Sequence, residues 1–135
     1  MADRVAVITG GGTGIGRASG LALAKDGFNV VVNYSRSAKE AEQTAGDIER
    51  LGVKSAAVQG DVSDRQAAEN LIKQAVDKFG RVDVLVNSAG MTKFIPYPKL
   101  DEIDDETFDR IMRVNVYGAF YTSRAASPRT AGRPA

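Results

Sequence analysis

A short apolar run followed by a cluster of glycines constrains the fold of this chain more than any other feature. Residues 5–8 are Val-Ala-Val-Ile, and Leu21, Ala22 and Ala24 recur further on at helical spacing. Five glycines follow the apolar run within seven residues, at Gly10, Gly11, Gly12, Gly14 and Gly16. This order predicts a strand, a glycine turn and a helix. The backbone N–H groups at the start of such a helix, together with the positive end of its dipole, suit a phosphate.

The spacing of these glycines excludes two common phosphate-binding loops. The loop of nucleoside triphosphatases requires Gly-x-x-x-x-Gly-Lys-Ser/Thr, and Gly16 is followed instead by Arg17 and Ala18. This loop therefore lacks the lysine for the terminal phosphates and the hydroxyl for magnesium. The strict dinucleotide pattern Gly-x-Gly-x-x-Gly would begin at Gly10 and would require a glycine at Ile15.

The pattern that is present resembles the cofactor loop of the short-chain dehydrogenase/reductase family. It reads Thr9-Gly10-x-x-x-Gly14-Ile15-Gly16. The resemblance implies that the loop binds the diphosphate of a nicotinamide dinucleotide. The residues it assigns to the cofactor are Thr9, Gly10, Gly12, Thr13, Gly14, Ile15 and Gly16. The alternative is a glycine-rich surface turn, but the strand before the loop and the helix after it favour cofactor binding.

Charge and composition exclude several other classes of function. The chain has 135 residues, a net charge of +1, no cysteine and no histidine. This charge gives no electrostatic case for nucleic acid or for an acidic membrane surface. Disulfides, thiolate metal sites and a Ser-His-Asp group are excluded, and the acids within residues 101–106 are interpreted as a solvated helix start rather than as metal ligands. Without a signal peptide or an apolar run of about 18 residues, we expect a cytoplasmic protein.

Apolar and amphipathic segments alternate along the rest of the chain. Short apolar or β-branched runs predict three more strands, at residues 28–33, 54–58 and 82–86. Amphipathic segments between them predict helices, at residues 37–51 and 63–79. Ser63 and Gln66 predict a capping box at the start of the second of these helices.

This alternation predicts an α/β fold with a parallel sheet and right-handed crossovers. We expect a Rossmann-like, doubly wound sheet of four strands in the order 3-2-1-4, with flanking helices and incomplete relative to the full fold. A ligand of such a sheet lies across the carboxyl ends of the first and fourth strands, where the strand order reverses. The sequence places unusual residues after each strand, so those ends are the expected site.

The end of the second strand bears on the choice of dinucleotide. A cofactor with a free ribose 2′-hydroxyl usually meets an acidic residue there, whereas this segment reads Asn33-Tyr34-Ser35-Arg36. Ser35 and Arg36 can instead bind a 2′-phosphate, because a guanidinium matches phosphate geometry. We therefore expect NADP(H) rather than NAD(H). The alternative is that Arg36 is a solvated turn residue.

The ends of the third and fourth strands carry further parts of the resemblance. Asp61-Val62 follows the third strand and is similar to the pair that contacts adenine in the family, although an acid before a helix also suits the helix dipole. Asn87-Ser88-Ala89-Gly90 follows the fourth strand, where the family usually has Asn-Asn-Ala-Gly. The resemblance assigns three of these residues to the cofactor site: Asn87, Ala89 and Gly90.

The last predicted helix begins at Asp104 or Asp105 and carries an asparagine on its apolar face. The side chains expected on the buried stripe are Phe108, Ile111, Met112, Asn115, Ala119 and Thr122. Residues 114–118 are similar to the Asn-x-x-Gly helix of the family, in which the asparagine helps to hold a water that relays protons to the catalytic lysine. The resemblance thus implies a catalytic role for Asn115. The alternative is a polar residue satisfied by a neighbouring loop.

The remaining catalytic group of the family does not occur in this sequence. The family uses a serine and a Tyr-x-x-x-Lys pair, and no tyrosine here is followed by lysine four residues later. We expect a partial dinucleotide-binding domain over residues 1–125 and a disordered or aberrant tail over residues 126–135. A truncated or frame-shifted chain would end in this way.

The resemblance implies an NADP(H)-dependent oxidoreductase that acts on a carbonyl or secondary alcohol, represented here by its cofactor-binding half. The spacing is most similar to that of 3-oxoacyl-carrier-protein reductases and sugar dehydrogenases. Full-length relatives are expected to be homo-oligomers. The alternative function is a non-catalytic nucleotide-binding module or an inactive fragment.

Overall fold

Strands and helices alternate through residues 3–129, which are the part of the chain that the computed structural model describes. The strands in this part are β1 (Val5–Thr9), β2 (Asn29–Tyr34), β3 (Ser55–Gln59) and β4 (Val84–Asn87). The α-helices are α1 (Gly14–Lys25), α2 (Ala38–Glu49), α3 (Arg65–Phe79), α4 (Asp105–Met112) and α5 (Gly118–Ala126). A π-helical segment (Arg113–Tyr117) joins α4 to α5, and short 3-10 helices occupy Tyr97–Glu102 and Ser127–Arg129.

The strands form one parallel sheet in the order β3-β2-β1-β4. Val7 of β1 pairs with Val31 of β2 on one side and with Leu85 of β4 on the other. The strand order therefore reverses between β1 and β4, and the carboxyl ends of the strands lie along one edge of the sheet. The predicted Rossmann-like topology is confirmed.

Helices cover both faces of the sheet. On one face, Ala24 of α1 and Ile48 of α2 pack with Ile8. On the other face, Leu71 of α3 packs with Val7. Every residue of β1 is buried, because successive side chains point to two covered faces. The continuous apolar run in the sequence follows from this double burial.

The start of α3 differs from the predicted capping box. The residue that caps the helix is Asp64, whose side chain accepts a hydrogen bond from the backbone N–H of Ala67 at 3.2 Å. The hydroxyl of Ser63 instead donates to the carboxylate of Asp61 at 2.7 Å. Ser63 is therefore not the cap, because its side chain is bonded to Asp61 within the loop between β3 and α3.

The buried face of the last helical segment also differs from the prediction. Its buried residues are Val114, Gly118, Thr122 and Ala126, whereas Phe108, Met112 and Asn115 are exposed. Thr122 is buried as predicted, but the prediction was wrong for the three exposed residues, for two physical reasons. The π-helical turn changes the phase of the helix, and Gly118, which has no side chain, lets the backbone approach Val62 closely.

The end of the described chain continues the helix further than predicted. Ala126, the first residue of the predicted tail, is the last residue of α5 and is 4% exposed. The backbone carbonyl of Arg129 accepts a hydrogen bond from the N–H of Val82 at 3.4 Å. The rest of the predicted tail, residues 130–135, lies outside the described residues.

Candidate cofactor-binding site

A cleft of about 590 Å³ lies at the carboxyl ends of the strands. The glycine loop, the ends of β2 and β3, the segment after β4 and helix α4 form its walls. The predicted cofactor residues that line it are Gly10, Thr13, Gly14, Ile15, Ser35, Arg36, Asp61, Val62, Ala89 and Gly90. Residues that line it without having been predicted include Asn33, Gly60 and Arg110, and Met91 lines it as well. Most of the predicted cofactor residues, which follow different strands in the sequence, therefore lie together in one cleft.

The N-terminus of α1 opens on this cleft with free hydrogen-bond donors. Thr13 precedes the helix in an extended conformation and makes no side-chain capping bond, and the first turn holds no acidic residue. Arg17 is the first residue whose N–H bonds to the turn, at 3.1 Å from the Thr13 carbonyl oxygen. The N–H groups of Gly14 and Ile15 have no intrahelical acceptor. These donors and the helix dipole fit the diphosphate of a dinucleotide.

Two glycines of the loop serve close packing and do not line the cleft. A Cβ on Gly16 would lie 2.2 Å from the carbonyl oxygen of Gly10, and one on Gly12 would lie 3.0 Å from the backbone nitrogen of Ala41. The hydroxyl of Thr44 in α2 donates to the carbonyl oxygen of Gly12 at 2.9 Å. The first contact places the start of α1 directly against Gly10, and the other two hold Gly12 against α2.

Thr9 is buried and supports the site from behind. Its hydroxyl oxygen accepts hydrogen bonds from the backbone N–H groups of Ser88 and Ala89, each at 3.1 Å, and the residue is 1% exposed. The side chain therefore joins the end of β1 to the turn after β4. Its effect on a ligand in the cleft acts through Ala89, which lines it.

Asn33 is a site residue that the sequence reasoning missed. Its side-chain nitrogen donates to the carbonyl oxygens of Val58 and Gly60, at 3.2 and 3.1 Å. Its side-chain oxygen accepts from the N–H of Gly10 at 3.4 Å. One buried amide therefore links the ends of β2 and β3 to the glycine loop. The available signal was a single amide after three valines in a buried strand.

The end of β2 presents a positive charge to the cleft. Ser35 and Arg36 both line it, and within residues 3–129 the guanidinium of Arg36 forms no ion pair with a carboxylate. The backbone is fixed on either side of this charge. Gln59 donates to the carbonyl oxygen of Ser35 at 3.2 Å, and Ala38 donates to that of Arg36 at 3.1 Å.

Asp61 is held by hydrogen bonds from two directions. Its Oδ1 accepts from the N–H and the hydroxyl of Ser63, at 3.0 and 2.7 Å. Its Oδ2 accepts from Nη2 of Arg110 in α4 at 2.8 Å. Partial burial raises the pKa of Asp61, but the hydrogen bonds from Ser63 and Arg110 outweigh it and hold the pKa below its ordinary value. The carboxylate is therefore charged and oriented at neutral pH.

Asn87 is exposed and is not among the residues that line the cleft. The hydroxyl of Thr122 donates to its side-chain oxygen at 2.6 Å, and its side-chain nitrogen donates to the hydroxyl of Ser123 at 3.1 Å. The residue assigned to the cofactor by resemblance thus joins β4 to α5 in this structure.

Asn115 lies in the π-helical segment and clamps the loop after β4. Its side-chain nitrogen donates to the carbonyl oxygen of Met91 at 2.8 Å, and its side-chain oxygen accepts from the N–H of Met91 at 2.9 Å. A Cβ on Gly90 would lie 3.0 Å from that side-chain oxygen, so glycine is what lets the clamp close. The amide is satisfied by a neighbouring loop, as in the alternative interpretation from the sequence.

Two further observations concern the described part of the chain. Among residues 3–129, no group of three or more carboxylate, imidazole or thiol side chains converges as a metal site would require. No helix in this part is both long and apolar enough to cross a bilayer.

The fold and the cleft define an α/β protein of the Rossmann type with a glycine-rich loop at the first strand–helix junction. The chain belongs to the short-chain dehydrogenase/reductase family, because the family model described as short chain dehydrogenase matches residues 4–134. Members of this family use NAD(P) cofactors.

Similar proteins agree with this membership. The chain is 45% identical over 127 residues to an uncharacterized oxidoreductase of Methylorubrum extorquens, covering 94% of this chain and 50% of that one. It is 36% identical over 127 residues to L-rhamnose 1-dehydrogenase (NAD(P)(+)) of Sphingomonas, covering 94% and 49%. The crystal structure of a dehydrogenase/reductase from Sinorhizobium meliloti superimposes with a TM-score of 0.89 at 35% identity, covering 96% of this chain and 50% of that one. The chain thus spans about half the length of these relatives.

Proposed function

We propose that the cleft binds NADP(H), and that this chain forms the cofactor-binding part of an oxidoreductase acting on a carbonyl or secondary alcohol. The observation that carries the choice of NADP(H) is the guanidinium of Arg36. It lines the cleft without a carboxylate partner among residues 3–129, at the strand end where a ribose 2′-hydroxyl would call for an acid. Arg36 and Ser35 would then bind the 2′-phosphate.

The other lining residues would bind the remaining parts of the dinucleotide. The N–H groups at Gly14 and Ile15 would receive the diphosphate. Asp61 and the backbone of Val62 would contact adenine, and the small residues Ala89 and Gly90 would leave room for a ribose. The cofactor supplies a hydride donor or acceptor, while these residues bind and orient it.

Asn115 is proposed to act as a positioning residue. Both polar atoms of its amide are engaged by Met91, which lines the cleft beside Gly90. The clamp therefore sets the path of the loop after β4 where this loop lines the cleft. A cytoplasmic location is part of the proposal.

A second candidate is a chain that binds the dinucleotide without transferring hydride. It is favoured by one observation, that no tyrosine in these 135 residues is followed by lysine four residues later. This candidate uses the same cleft and differs from the first only in that bound cofactor is neither oxidised nor reduced.

The test is a titration of the purified chain with NADPH and with NADH, followed by nucleotide fluorescence. We expect NADPH to bind more tightly by tenfold or more, since a guanidinium–phosphate contact is a charge-assisted hydrogen bond. Arg36→Ala should remove this preference, while Arg50→Ala, a change of the exposed arginine that follows α2, should leave it intact. Equal binding of both dinucleotides by the wild type would refute the NADP(H) proposal. Simple ketones are then added to the NADPH complex. Oxidation of NADPH supports the oxidoreductase, and binding without oxidation supports the second candidate.

A further inference from the structure

Arg110 lines the cleft from an element that has little other connection with the sheet. Helix α4 contributes no buried residue, yet the guanidinium of Arg110 crosses to the loop between β3 and α3. There its Nη1 donates to the hydroxyl of Ser63, and its Nη2 donates to Oδ2 of Asp61 at 2.8 Å. The guanidinium, the hydroxyl and the carboxylate form a closed hydrogen-bonded triangle.

This triangle leaves Asp61 with one acceptor position. Each carboxylate oxygen can accept about two hydrogen bonds. Oδ1 already accepts two, both from Ser63, and Oδ2 accepts one, from Arg110. The remaining acceptor position is on Oδ2, on a side chain that is 42% exposed and lines the cleft. Within residues 3–129, Arg110 is the residue that donates to Oδ2, so it sets the direction of this oxygen together with the two hydrogen bonds from Ser63 to Oδ1.

The neighbouring residue offers the opposite hydrogen-bonding group. The backbone N–H of Val62, which also lines the cleft, donates to no acceptor among the described residues. An acceptor beside a donor matches the edge of adenine, which presents an amino group beside an unprotonated ring nitrogen. It does not match hypoxanthine, which presents a carbonyl oxygen beside a protonated ring nitrogen.

We propose that Arg110 is a positioning residue that makes the cleft selective for the amino group of adenine, by directing the free acceptor of Asp61. The proposal rests on the proposed function of the cleft as an NADP(H) site. Arg110 itself does not contact the base in this scheme. It keeps the carboxylate charged, together with Ser63, and fixes the direction of one lone pair.

The test compares two ligands, NADPH and reduced nicotinamide hypoxanthine dinucleotide phosphate, and follows nucleotide fluorescence. The readout is the ratio of the two dissociation constants, because a general loss of structure weakens both ligands and leaves the ratio unchanged. We expect the wild type to prefer the adenine form by roughly tenfold or more, the contribution of a hydrogen bond to a charged group. Arg110→Met should lower this ratio to that of Asp61→Asn.

The control is Arg113→Met, which removes another arginine of the same helical segment, one that pairs with Asp109. It should keep the wild-type ratio. If Arg110→Met fails to fold, Ser63→Ala removes only one hydroxyl of the triangle and should also reduce the ratio, by threefold or more on the same scale as a lost hydrogen bond.

The outcomes separate the two levels of the proposal. A wild-type chain that is folded and binds neither ligand contradicts the proposed function, and with it this inference. NADPH binding with an unchanged ratio in folded Arg110→Met or Ser63→Ala leaves the proposed function standing and overturns the role of Arg110.

Discussion

Replacing Gly118 with alanine tests how closely helix α5 approaches the cleft. A Cβ at this position would lie 2.7 Å from Cγ2 of Val62 and 3.3 Å from its carbonyl oxygen. Val62 is 5% exposed, and a β-branched side chain has few rotamers to choose from. The helix or the loop after β3 must therefore move. Overpacking of this kind costs about 1–3 kcal/mol of stability.

Gly46 provides a matched control for this change. It also lies inside a helix, α2, but a Cβ built there has no other group within 4 Å. Gly46→Ala should therefore show only the gain in helix propensity, about 1 kcal/mol. In Gly118→Ala the same gain is opposed by the clash with Val62, which leaves a net loss of up to about 2 kcal/mol.

Urea denaturation followed by circular dichroism measures both variants. The difference between their free energies of unfolding isolates the cost of the contact, expected at about 1–3 kcal/mol with no change in the slope of the transition. Because Val62 lines the cleft, NADPH should also bind more weakly to Gly118→Ala than to Gly46→Ala. Equal stabilisation by the two changes would show that the argument from the close approach is wrong.

Two further changes probe the supports of the site and of the sheet. Thr9→Val removes the acceptor of two backbone N–H groups, so we expect a loss of about 1–3 kcal/mol in urea unfolding, whereas Thr9→Ser should retain most of the stability. Burial raises the pKa of Asp83, but hydrogen bonds from Arg81 and from the N–H of Val5 hold it below the ordinary 3.8. The stabilisation from a lowered pKa is complete above that ordinary value and is lost as the pH falls through the folded-state pKa. The urea midpoint of Asp83→Asn should therefore fall less steeply on acidification than that of the wild type, and identical slopes would contradict this account.

The sequence predicted the sheet because its signals are local. A strand buried on both faces must be apolar throughout, so β1 was recognisable from Val5 to Ile8 alone. The alternation of strands and helices then predicted a parallel sheet with right-handed crossovers, and the doubly wound rule predicted its strand order. The glycine loop was recognisable because close backbone approach, such as that of Gly16 to Gly10, excludes any side chain at that position.

Other features depended on contacts between distant parts of the chain. The buried face of the last helix could not be predicted from periodicity, because a π-helical turn rotates it. In addition, its close contact with Val62 is made by Gly118, and glycine is normally a weak helix residue. Asn115 was predicted to be buried and is exposed, because its partner is the loop at Met91 rather than the helix core.

The sequence by itself determined the order of the strands, the position of the phosphate-binding loop and the absence of an acid after β2. Each of these follows from residue type and spacing along the chain. Only the tertiary structure decided that Arg110 reaches Asp61, that Asn33 joins three segments and that Thr9 lies behind the cleft. Hydrogen bonds between residues more than twenty positions apart depend on how the elements pack, and no spacing along the chain records that packing.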